Sequence, residues 1–152
     1  MSRIDFIKHL VERKNDRAML ASLRRCLGKT QGDVKAYPYV VPFLPKEEYK
    51  QASYFLLAGL FGLHPEHTNK EYWSIGKAFR LLTKTDSRDR RFKALLDAED
   101  EQFAYHLQQA VSLLKSKEMI KINYYQLFKD IQGWNHLKKY VQLKWAKDFW
   151  AE

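Results

Sequence analysis

The chain has 152 residues, a single cysteine, enough hydrophobic residues (45%) to fill a core, a formal net charge of +9 and a pI near 9.6. That length suits one domain needing neither disulfide nor structural metal, and Cys26 alone rules out an internal disulfide or a cysteine-based zinc knuckle. No apolar run approaches a membrane span, and the N-terminal MSRIDFIKHL carries Asp5 and no long apolar signal core; a cytoplasmic protein with no membrane attachment and a polyanionic partner, nucleic acid first, is expected.

Helical periodicity recurs throughout, strand alternation is scarce, and no two apolar runs are joined by an Asn-Gly turn. This predicts an all-α, compact multi-helix bundle of about seven helices. The first helix covers about Asp5 to Lys14. The second starts at Asp16, a suitable N-cap, and runs to Leu27, where Gly28 ends it. Met19, Leu20, Leu23 and Leu27 share its inward sector, whereas Arg17, Arg24 and Arg25 lie within roughly 100° of one another and face outward. A planar guanidinium can donate two parallel hydrogen bonds to a phosphate, so three arginines on one face form a strip that a nucleic-acid backbone could follow. Cys26, in the same run, is expected to pack rather than react.

Residues 29–45 hold three of the four prolines and read as an irregular, proline-rich connection. Helices follow at about 47–62 and 71–83, separated by LHPEHTN, and then at about 88–96 and 99–116. In TDSRDRRFKALL, Phe92, Leu95 and Leu96 turn inward, which leaves Arg90 and Lys93 outward and Arg91 on the flank: a second basic strip. Lys115 and Lys117 end the long helix, where lysines complement the helix dipole and could also meet phosphates. Asn123 caps a helix from Tyr124 to about Ile131, and the last helix begins near Trp134. Trp134, Leu137, Val141, Trp145 and Phe149 form its core face; Lys139, Leu143, Lys147 and Trp150 lie opposite.

Charge falls in blocks. Residues 1–35 carry nine Lys or Arg against four acids, residues 76–95 seven against two, and residues 114–152 eight against four, while 36–75 and 96–113 are net acidic. The aromatics belong mostly to the core, with Trp150 and Tyr140 the two placed to act as base-stacking platforms. Chemistry finds no foothold. His64 and His67 bracket Pro65 without further metal ligands in reach, and DAEDE at 97–101 is what the first turn of a helix favours. Phosphate loop, zincin and nucleophile-elbow motifs are missing, so no enzyme activity, cofactor or metal is expected.

ASLRRCLG at 21–28, SRDRRFKALL at 87–96, LQQAVSLLKSK at 107–117, and YYQLFKDIQGW at 124–134 followed by VQLKWAKDFW at 141–150 form an ordered set. Together they resemble the CasB family, the small subunit of the type I-E CRISPR surveillance complex Cascade. The resemblance implies an all-helical, non-enzymatic subunit, present as two copies beside other Cascade subunits. Its basic surfaces would hold the R-loop open along the crRNA–target duplex and the displaced non-target DNA strand, contacting phosphates while base pairing supplies sequence specificity. Carried over by position, the contacts are Arg24 and Arg25, then Arg88, Arg90 and Arg91, with Lys115, Lys139, Lys144 and Lys147 as additions. Where the family often has an arginine after the leucine of the long helix, this chain has Gln108 and Gln109. Two other classes compete: a pure scaffold whose basic faces meet acidic proteins, and a free-standing helix-turn-helix reader. The latter lacks its compact helix pair and polar recognition helix.

Overall fold

A computed structural model describes residues 3–117 and 119–151. It is helical with no strand among the described residues, as the periodicity predicts, and it divides into two compact units, Met1–His67 and Thr68–Glu152.

The first unit contains α1 (Arg3–Glu12), α2 (Arg17–Arg24), α3 (Tyr37–Val40) and α4 (Glu48–Leu63), with 3-10 turns at Val34–Ala36 and Val41–Phe43. Within the connection expected at 29–45, residues 34–43 form a string of short helical turns, and the residues on either side of them are irregular. Asp33 caps the first by accepting from the Lys35 N–H at 3.0 Å. Pro38 and Pro42 sit at the starts of the next two, where a missing N–H costs nothing. Phe6, Ile7 and Leu10 of α1 and Met19, Leu20 and Leu23 of α2 pack with Phe55, Leu57, Leu60 and Phe61 of α4 in the core. Contact between α2 and α4 depends on glycine: a Cβ at Gly62 would stand 2.7 Å from the Leu20 carbonyl oxygen. Cys26 is buried, as expected, and burial pushes its thiol up.

The second unit contains α5 (Ile75–Arg80), α6 (Asp86–Asp97), α7 (Asp100–Lys117), α8 (Tyr124–Gly133) and α9 (Tyr140–Trp150). Two helices differ from the predicted bounds. The helix expected over 71–83 is only α5, because Tyr72 takes a left-handed φ of 58° and Ser74 is the N-cap, its Oγ accepting from Lys77 N–H at 3.2 Å. The last helix begins at Tyr140 rather than near Trp134. Trp134 instead terminates α8, stacked on Phe103 at 4.1 Å with its indole N–H donating to the Ala98 carbonyl at 2.9 Å. Gln142 then binds the Trp134 carbonyl at 2.8 Å, so the chain doubles over the indole through Lys139, which has φ 51°. The consequence is that Leu137, expected in the core, is 97% exposed, whereas Trp134, Val141, Trp145 and Phe149 are buried as predicted.

Phe92 of α6 stacks on Phe149 of α9 at 4.2 Å, and Phe79 of α5 lies 5.4 Å from Phe92, which fixes α6 against its neighbours. Gly76 of α5 lies directly against the Trp145 backbone carbonyl, leaving no room for a Cβ. The Trp145 indole donates to the buried Asp130 at 2.9 Å, and Gln126 donates to its other oxygen at 2.8 Å.

Candidate nucleic-acid interface

Helix α2 presents its arginines because Asp16 fixes its start, accepting from Met19 N–H at 3.0 Å, and Met19, Leu20 and Leu23 face α4. Arg17, Arg24 and Arg25 are all exposed, as their spacing predicts. Their guanidinium groups are not equally available. Arg17 has no ion pair or hydrogen bond among the described residues. Arg24 makes one long bond, 3.4 Å, to the Gly62 carbonyl near the end of α4, where carbonyls lack helical partners. Arg25 donates from Nε to Asp33 at 3.1 Å, and Lys29 binds the other oxygen of the same carboxylate at 2.8 Å. Lys29, the Lys35 N–H and Arg25 together hold Asp33 well below the usual carboxylate range, so the cluster keeps one net positive charge at any pH near neutrality.

Helix α6 starts on Thr85, which accepts from Arg88 N–H at 3.0 Å. Burying Phe92 and Leu95 turns Arg90, Arg91 and Lys93 to solvent, and none of the three has a partner among the described residues. Arg88 is set apart. Its side chain is 11% exposed, pairs with Asp89 at 3.0 Å, donates to the carbonyls of Arg80 and Leu82 at 3.1 Å each, and lies 4.6 Å above the Phe149 ring. Nη1 is thus committed to closing the end of α5 and Nε to Asp89, and neither can turn to a phosphate without breaking that packing.

The lysines differ in the same way. Lys117 and Lys147 are exposed, while Lys115 and Lys144 are half-buried. Lys139 stands 3.8 Å from Glu99, an exposed pair of the kind that contributes little. Trp150 rests edge-on against Phe92 at 5.5 Å and Phe149 at 4.9 Å, which takes part of its ring out of play as a stacking platform. Tyr140 meets His136 at 5.1 Å, also edge-on. Missed from the sequence was Lys29, whose place beside Arg25 depends on Asp33 folding back over the end of α2. Its i,i+4 spacing to Asp33 was the available signal. No group of His, Cys, Asp and Glu able to hold a metal occurs among the described residues, and no helix there is long and apolar enough to cross a membrane.

Known proteins share this fold. A family model described as CRISPR-associated protein Cse2 matches residues 19–150, a span that takes in every candidate residue except Arg17. The CRISPR-associated protein Cse2 of Thermus thermophilus is 30% identical over 152 residues, covering 97% of this chain and 88% of its own length. The crystal structure of M. ruber CasB superposes with a TM-score of 0.82 at 34% identity, over 95% of this chain and 90% of that one. A chain of a CRISPR RNA-guided surveillance complex has the same fold, with a TM-score of 0.80 at 20% identity over 95% and 89% of the two chains. The resemblance carried by the LRR, RRFKALL and KWAKDFW pieces is borne out: the chain belongs to the CRISPR-associated protein Cse2 family, the CasB family of Cascade subunits.

Proposed function

We propose that the chain is a non-catalytic, sequence-independent nucleic-acid-binding subunit of a Cascade surveillance complex. In that role it stabilises the R-loop by meeting phosphates of the displaced non-target DNA strand and of the crRNA–target duplex. Its partners in this reading are the crRNA, both DNA strands, other Cascade subunits and a second copy of itself. The observation that carries it is the run of solvent-facing cations on α6, Arg90, Arg91 and Lys93, none with an internal partner among the described residues, with Arg17 on α2 likewise unpartnered. Asp33 neutralises part of the Arg25 and Lys29 charge, whereas Arg90, Arg91 and Lys93 keep theirs and can add to a field that attracts a polyanion. Arg88 drops out of the contact set and becomes a positioning residue for α6.

The salt dependence of DNA binding by the full chain and by the complex assembled with it tests the proposal. Log affinity falls linearly with log salt, at about −0.9 per phosphate contact on duplex and about −0.7 on single strands. Absence of binding at low salt in both forms contradicts phosphate contact and favours the scaffold class, in which the same cations meet acidic proteins.

A further inference from the structure

Residues 68–73 of the second unit form a loop that is stapled in place on both sides of an outward-facing tyrosine. Thr68 N–H donates to the Ile122 carbonyl, Asn123 Nδ2 to the Lys70 carbonyl, and the Trp73 indole N–H to the Lys121 carbonyl, each at 3.0 Å. Between these anchors Tyr72 sits at φ 58°, in the left-handed region that suits Gly or Asn and not a bulky aromatic, yet its side chain is 71% exposed. A loop that only had to turn would be more stable with glycine there, and a ring held out in water contributes nothing to the core. The charged neighbours are Lys70, 4.6 Å over the Trp73 ring, Lys121 and the acidic Glu71, all three exposed, which leaves one net positive charge beside the ring. One protruding ring is too small for the buried aromatic cluster that anchors a protein interface, but it matches the single face that a nucleobase requires.

We propose that Tyr72 is a stacking site for one unpaired nucleobase of single-stranded DNA, with Lys70 and Lys121 drawing the adjoining phosphates. This rests on the phosphate-binding function proposed above and adds base contact at a place neither arginine strip occupies. The test compares binding of a mixed-sequence single strand with binding of an abasic strand of equal length, by the full chain and by the complex assembled with it. The intact strand is expected to bind about tenfold tighter than the abasic one. Tyr72→Ala should abolish that preference without changing the salt slope, while Tyr72→Phe retains it. Tyr72→Gly should also lose it while resisting urea better than the parent, which separates binding from folding. Equal binding of the two strands by the parent, or a preference surviving in Tyr72→Ala, overturns the stacking site alone. Tyr72→Ala that leaves DNA binding unchanged but weakens assembly with other Cascade subunits makes the ring a protein contact and overturns it too. If neither strand binds at all, phosphate contact itself fails.

Discussion

Neighbouring arginines on α6 are packed differently, and single substitutions should separate their effects. Arg88 is largely buried against Phe149 and satisfies two carbonyls at the end of α5, so Arg88→Ala removes that packing, leaves the part-buried Leu82 carbonyl unpaired and should cost about 1–3 kcal/mol of stability. Arg90 and Arg91 are exposed and have no hydrogen bond or ion pair among the described residues, so Arg90→Ala and Arg91→Ala should stay within about 0.5 kcal/mol of the parent in urea unfolding while weakening DNA binding. Asp33 offers the reverse experiment. Asp33→Asn keeps an oxygen to cap Lys35 N–H but removes the charge that occupies Arg25 and Lys29, so the salt slope of DNA binding should steepen by about one contact, 0.7 to 0.9. An unchanged slope would mean that Arg25 does not reach phosphate. Asp130 sets a pH signature. Burial raises its carboxyl despite the bonds from Trp145 and Gln126 and the pull of Lys144 and Lys129. The folded state therefore holds this proton more tightly than the unfolded chain does. The stability gained on protonation is complete below the ordinary carboxylate value near 3.8 and is lost as pH rises through the raised one. Measured against Asp130→Asn, which cannot titrate, the parent should gain relative stability as pH falls from neutrality towards that value.

At the scale of elements, the basic strips face solvent because the opposite faces are locked. Gly62→Ala would drive a methyl into the Leu20 carbonyl and the backbone of Arg24, and should cost about 1–3 kcal/mol with the denaturant slope unchanged, weakening DNA binding as Arg24 shifts. Helices α6, α7 and α8 and the start of α2 were legible in advance because caps and periodicity agree, Asp16 and Asn123 each accepting the expected backbone N–H, whereas α2 ends at Arg24, short of the expected Leu27, and the chain reaches Gly28 through turns. The start of α9 was not legible. Leu137 continues the 3.6-residue pattern of Val141 and Trp145, and nothing in its neighbourhood reveals that Trp134 is held by Phe103 and Ala98, more than thirty residues away. The early end of the 71–83 helix was hidden for the opposite reason, since a tyrosine at positive φ violates the local preference on which any sequence-based boundary depends.

For the whole molecule, the alternation of basic and acidic blocks already separated the cationic segments from the anionic ones. What it could not show was availability. Arg88, Arg90 and Arg91 are equivalent as charges in the chain, and only the packing of α6 against Phe149 tells which one is committed. The prolines of residues 29–45 likewise signalled a break in long helices without revealing the short turns they start. Family membership adds the context in which such cations would act together. The central claim is therefore best tested in a Cascade complex assembled with this chain, by comparing R-loop lifetime for the parent and for a variant with Arg24, Arg25, Arg90 and Arg91 replaced by Ala. Normal assembly with an R-loop that collapses faster, and a salt dependence of its stability made shallower by several contacts, is the expected result; an unchanged R-loop lifetime, or a complex that fails to assemble, would contradict it.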